Sequence, residues 1–189
     1  MEAYNAQNDP KILMQSAKSG DTEAFSHLYK LYFTPVFRYI YFRVKNKEEA
    51  NDLSQTVFLK VFRSLPNFQE KNKSPLAYFF TVARNTVIDY WRAKKEISFN
   101  DLENVFGQMP DKTDNPLELI KKKEIGWTIR RAVKQLTDDQ QEVITLKFIN
   151  EMPNKEIAAL LEKTEEAVRQ LQCRALKALR EILKNQKLI

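Results

Sequence analysis

Along most of the chain apolar residues return every three or four positions, which is the period of an amphipathic helix and predicts an all-α fold. The first helix opens at Asp9-Pro10: aspartate caps exposed backbone N–H groups, and proline sits where its missing N–H does no harm. Gly20 should stop it. Asp21 then caps a second stretch whose Phe25, Leu28, Tyr29, Tyr32, Val36, Phe37, Ile40 and Tyr41 form a broad aromatic core stripe, bent by Pro35. Asn46 followed by Glu49 has the spacing of a capping box and starts a third helix, with Ala50, Leu53, Val57, Phe58, Val61 and Phe62 predicted to face inward. Leu65-Pro66 ends it. After a polar loop over 67–73, Ser74-Pro75 repeats the cap-plus-proline start for a long helix reaching about Lys95.

Those four helices make one domain, 9–95. Residues 96–114 are acidic, contain Gly107 and Pro110 and lack sustained periodicity, so they predict a mostly extended tether. Asn115-Pro116 with Glu118 signals the start of a second domain, 115–186, whose first apolar face is Ile120, Ile125, Ile129, Val133 and Leu136. Thr137 or Asp138 can cap the next helix, which carries Val143, Ile144, Leu146 and Lys147. A break over 150–153, a short helix to Leu161, a tight turn and a terminal helix complete the chain.

Charge separates these bodies further. The 189 residues carry a net charge of +6 with a pI near 9.3. Residues 1–95 hold 15 Lys/Arg against 9 Asp/Glu, residues 96–118 hold 1 against 6, and residues 119–189 hold 15 against 10. Two basic blocks flanking an acidic connector make a polyanion such as nucleic acid the leading partner class.

Enzymatic chemistry finds little support. His27, the single histidine, lies in an apolar helical region and is expected to be partly buried and structural. Cys173, the single cysteine, has no partner for a disulfide or a metal site, and no glycine-rich phosphate loop occurs. No catalytic residue, metal or cofactor is therefore predicted. No apolar run approaches the roughly 18 residues of a membrane span, and the N-terminus lacks a signal pattern, so the expected location is the cytoplasm, without stable membrane insertion.

The segment from Asn154 to Leu161, the turn Glu162-Lys163-Thr164 and the helix from Glu165 to Leu183 has the spacing of a helix-turn-helix. Ile157, Leu160 and Leu161 can pack on Val168, Leu171, Ala175, Leu179 and Ile182, which leaves Arg169, Gln170, Cys173, Arg174 and Lys177 for a DNA groove or for solvent. Thr164, near the helix start, could help the exposed N–H groups bind phosphate. Taken alone, the segment fits a DNA-reading helix and an ordinary charged surface helix equally well.

Two further motifs break that tie. Asp52-Leu53-Ser54-Gln55-Thr56-Val57-Phe58, inside Glu49 to Arg63, resembles the polymerase-binding helix of extracytoplasmic-function (ECF) sigma factors, a compact branch of the sigma-70 family. Ala83-Arg84-Asn85 with Asp89 and Arg92, inside Ser74 to Arg92, resembles that family's promoter-melting helix. The resemblance runs from about Gly20 to Leu183.

What the resemblance implies is a sigma factor that directs bacterial RNA polymerase core to promoters. Its first domain would bind the polymerase clamp through Asp52, Leu53, Gln55, Thr56 and Phe58. It would meet the minus-ten element through Asn67, Tyr78, Arg84, Asn85, Asp89 and Arg92. The second domain would engage the flap and read the minus-thirty-five element through Thr164, Arg169, Gln170, Cys173, Arg174 and Lys177. Polymerase core, promoter DNA and an anti-sigma factor are the implied partners. Helical spacing agrees, since Asp52, Gln55, Thr56 and Leu59 share one stripe, although a solvated face has the same pattern. Thr56 stands where the family commonly has an acid, Pro153 replaces a small capping residue, and Leu171 and Leu176 occupy positions often basic. A regulator that never joins polymerase, and a helical adaptor for protein partners, are the competing classes.

Overall fold

Capping residues set the helices of the first unit. In the computed structural model, which describes residues 9–68, 74–97, 128–129 and 131–185, Asp9 accepts from the Lys11 N–H at 2.8 Å and opens α1, Pro10–Lys18. At its other end the Gly20 N–H donates to the Ala17 carbonyl and the Asp21 N–H to the Ser16 carbonyl, each at 3.1 Å. This paired closure requires a left-handed residue, and Gly20 supplies it at φ 99°. Asp21 accepts from Glu23 and Ala24 to start α2, Thr22–Val44. That helix runs on unbroken through Pro35. Asn46 caps α3, Lys47–Ser64, by accepting from Glu48 and Glu49. A three-ten turn, Leu65–Asn67, follows, and the Ser74 hydroxyl accepts from Ala77 in the first turn of α4, Pro75–Ile97.

Around α2 pack α1, α3 and α4, with α3 also against α4. Leu28, Val36, Tyr39, Ile40, Val57, Val61, Phe79 and Phe80 form the core. Aromatic rings fill its centre: Phe58 lies 4.6 Å from Tyr29 and 5.1 Å from Phe79, and Tyr39 meets Phe80 edge-on at 5.4 Å. Two residues assigned inward sit at the rim instead. Phe62 is 45% exposed while its ring touches Phe25 at 4.9 Å, and Tyr29 is 37% exposed. The amphipathic period identifies a face, but a residue at its edge is covered only where a neighbouring helix reaches it.

The chain divides into two units, 1–108 and 109–189. The tether, the expected helix start at Asn115-Pro116, and loop residues 69–73 lie outside the described residues. In the second unit Ala132, Val133 and Leu136 are buried, whereas Ile129, expected on the same face, is 45% exposed. The Gln140 side chain accepts from the Thr137 N–H at 3.1 Å at the start of α5, Asp138–Ile144. The chain then widens into one π turn, Thr145–Ile149, closed by the Asn150 N–H on the Thr145 carbonyl at 3.2 Å. Next come α6, Asn154–Leu161, and α7, Glu165–Asn185, with α7 packed on both α5 and α6. Among the described residues there is no strand, so the all-α expectation holds.

Candidate functional site

On α3 the period of 3.6 carries Asp52, Gln55, Thr56 and Leu59 along one side. Asp52 and Gln55 are exposed, Leu53 and Thr56 half-buried, and the Thr56 hydroxyl donates to the Asp52 carbonyl at 2.9 Å. Leu59 at 56% exposure and Phe62 at 45% prolong this polar stripe with an apolar end. Phe58 does not belong to it. It is 3% exposed and packs against the rings of Phe25, Tyr29, Phe33 and Phe79 on the inner side of the helix.

On α4, Asn85, Asp89 and Arg92 recur at four and three residues, and all three are exposed. Arg84 is half-buried and engaged within the protein. Tyr78 is half-buried: its hydroxyl shares a 2.7 Å hydrogen bond with Ser64, and its ring meets Phe68 edge-on at 4.7 Å. Lys18 donates to the Phe68 carbonyl at 2.6 Å. Exposed Asn67 therefore projects from a turn held on both sides, by α1 and by α4. Tyr78 is part of that clamp.

Three tertiary contacts join α3 to the outer half of α4. Lys60 donates to the Thr86 hydroxyl at 3.2 Å and pairs with Asp89 Oδ2 at 3.5 Å, while Arg92 stands 4.0 Å from Asp89 Oδ1. Glu49, expected to fold back onto the cap of its own helix, accepts instead from Lys94 at 3.1 Å. Lys94 also donates to the Tyr90 hydroxyl at 2.8 Å and lies 5.2 Å from the Tyr90 ring and 5.8 Å from that of exposed Trp91. Burial pushes the Tyr90 phenol above its usual range, and hydrogen bonds to Tyr90 and Glu49 raise the Lys94 ammonium. Both groups keep their protons at neutral pH, so the tie between the helices stands there.

The second unit is organised more locally. Ile157, Leu160, Val168 and Ala175 are buried between α6 and α7, and Leu161, Leu171, Leu179 and Ile182 are half-buried. Gln172 donates to Asn154 at 2.9 Å across the pair. The turn closes without glycine: Glu162 adopts φ 55°, and the Lys163 N–H donates to the Ala158 carbonyl at 2.9 Å. Lys163 also pairs with Asp139 of α5 at 3.1 Å. The Thr164 hydroxyl accepts from the Ala167 N–H at 3.1 Å and so acts as a cap.

From this frame Arg169, Gln170, Cys173, Arg174 and Lys177 all emerge exposed along one side of α7. Glu166, which the sequence reading passed over, lies on the same side and pairs with Arg169 at 3.3 Å. His27, expected to be partly buried, is exposed. Among the described residues no cluster of His, Cys, Asp or Glu could hold a metal, and no helix is long and apolar enough to cross a membrane.

This arrangement has relatives. The sigma-70 region 2 family matches residues 28–97, and the sigma-70 region 4 family matches residues 127–179. The chain is 32% identical over 161 residues to the ECF RNA polymerase sigma factor SigX of Bacillus subtilis, an overlap that covers 84% of this chain and 82% of SigX. The chain belongs to the ECF RNA polymerase sigma factors. A second relative of this sigma factor, BldN of Streptomyces coelicolor, is 33% identical over 174 residues, which span 90% of this chain and 64% of BldN. Solved structures share the sigma-factor fold. CnrH, solved with the cytosolic domain of CnrY, matches with a TM-score of 0.70 at 21% identity, over 94% of this chain and 98% of CnrH. RpoE, solved with the anti-sigma factor NepR from Bartonella quintana, matches with a TM-score of 0.65 at 20% identity, over 85% and 96%. Sigma factors are initiation factors and not enzymes, which agrees with the sequence reading.

Proposed function

We propose that this sigma factor works through three surfaces, and that residues 9–95 and 115–186 act as its region 2 and region 4 bodies around the tether 96–114. Asp52, Leu53, Gln55 and Thr56 of α3, prolonged by Leu59, bind the clamp of polymerase core. Phe58 maintains that helix from inside. Asn67, Arg84, Asn85 and Arg92 meet the minus-ten element, with Tyr78 holding the turn that carries Asn67. In the second body the exposed side of α7, with Arg169, Gln170, Cys173, Arg174 and Lys177, enters the major groove at the minus-thirty-five element, and Thr164 caps the helix that does so. The flap of polymerase receives this same body.

One observation carries the reading: an exposed polar stripe on α3, a second on α4 and a cationic helix-turn-helix face coexist in one chain that matches both sigma-70 regions. RpoE was solved with the anti-sigma factor NepR, which supports an anti-sigma factor as a partner of this chain as well. It would act in the cytoplasm, where polymerase resides.

Reconstituted transcription tests the whole proposal. Bacterial core polymerase with and without the protein is incubated with a randomised promoter library, and the start sites are sequenced. Transcripts that begin downstream of a shared two-element motif only when the protein is present are the expected result. Core binding without initiation would leave an adaptor that occupies polymerase but does not open promoters.

A further inference from the structure

We propose that Lys60, on the polymerase-binding helix, is itself a promoter phosphate contact, and that Asp89 is its positioning residue rather than a DNA contact. The proposal rests on the assignment of the outer half of α4 to promoter DNA. An exposed carboxylate on a surface meant for phosphates raises an electrostatic problem. Asp89 is exposed in the middle of the Asn85–Asp89–Arg92 stripe, where an unpaired negative charge would repel the DNA backbone. Its geometry removes the difficulty. Oδ2 faces Lys60 at 3.5 Å and Oδ1 faces Arg92 at 4.0 Å, so each oxygen is turned toward a cation.

Lys60 is held from two sides. Its ammonium has three N–H donors, of which one goes to Thr86 at 3.2 Å and one toward Asp89. Thr86 is 3% exposed and therefore rigidly seated, so the lysine is anchored to the protein interior while its side chain stays 46% exposed. The remaining donor is left for a phosphate, and Arg92, on the other oxygen of Asp89, has a side chain that is 71% exposed. Pre-orienting a flexible lysine in this way lowers the entropy lost when a phosphate is bound. The carboxylate between two cations leaves a net positive cluster that spans α3 and α4.

The test uses holoenzyme assembled from polymerase core and the full chain, and the promoter fragment that the wild-type protein selects from the random library. Promoter affinity is measured by anisotropy across a potassium chloride series, and core affinity is measured separately. Lys60→Gln is expected to weaken promoter binding about fivefold and to reduce the salt slope by about 0.7 to 0.9, the value of one phosphate contact, with core affinity unchanged. Lys60→Arg should keep the slope. Asp89→Asn, although it removes a negative charge, should weaken promoter binding, and Lys60→Gln with Asp89→Asn should be no weaker than Lys60→Gln alone.

Tighter promoter binding by Asp89→Asn overturns the positioning role. An unchanged slope in Lys60→Gln, while Arg92→Gln loses affinity, overturns the Lys60 contact but leaves α4 on the DNA. No effect of Arg92→Gln, Asn85→Ala or Lys60→Gln removes α4 from the promoter and the proposal with it. The same follows if the wild-type protein selects no promoter.

Discussion

The two cation-bearing surfaces of this sigma factor are built in different ways. In the first unit, polar side chains of α3 and α4 are set by contacts between helices: Lys60 with Thr86 and Asp89, Glu49 with Lys94, Ser64 with Tyr78. In the second unit, the order along the exposed side of α7 among the described residues is local, through the Glu166–Arg169 pair one turn apart and the Thr164 cap. A surface assembled from two helices fails when the packing beneath it fails. A surface on one helix survives as long as that helix is anchored.

The largest effect expected from this contrast comes from Phe58→Ala. Emptying the aromatic centre should destabilise the first unit by about 3 to 5 kcal/mol, and hydrogen exchange should accelerate across α2, α3 and α4 while α5 to α7 keep their protection. Equal loss of protection in both units would mean that they fold as one. Asp52→Ala with Gln55→Ala is the complementary change. Both residues are exposed, so stability should move by less than about 0.5 kcal/mol per site while core affinity falls by about 2 kcal/mol. A melting temperature that drops in step with binding would show that the stripe is structural.

Within the second unit, Arg169→Ala and Arg174→Ala should each cost about 1 to 3 kcal/mol of discrimination if they reach base edges. Promoter selection by each mutant from a mixed pool measures this. Unchanged preference in both would take the groove-reading role away from this side of α7. The smallest effect concerns the turn. Glu162 holds a left-handed conformation that costs a residue with a side chain about 1 to 2 kcal/mol, partly offset by the greater freedom glycine loses on folding. Glu162→Gly should therefore stabilise the unit by about 0.5 to 1 kcal/mol, read as a higher denaturation midpoint.

Much of this molecule was legible from residue order because capping is local. Asp9, Asp21, Asn46 and Ser74 each accept from N–H groups two or three residues ahead, and such bonds need no distant partner. The same holds for the α7 side chains, whose common side follows from helical spacing once Val168 and Ala175 are buried. Residues at the rim were less legible. Phe62 and Ile129 fit an inward pattern, yet each is 45% exposed, whereas Phe58 was drawn into the core by rings from α2 and α4.

The sequence by itself determined the helical class, the capped starts of α1 to α4 and the residues along the exposed side of α7, since each depends on neighbours within about one turn. Tertiary structure alone decided that Glu49 would leave its own cap for Lys94, that Tyr78 would clamp a turn, and that Lys60 would meet Asp89 across two helices. Long polar side chains can reach several partners of similar energy. Which one they take depends on the distance between helix axes and the rotation of each helix, and those are set by the packing of the whole core.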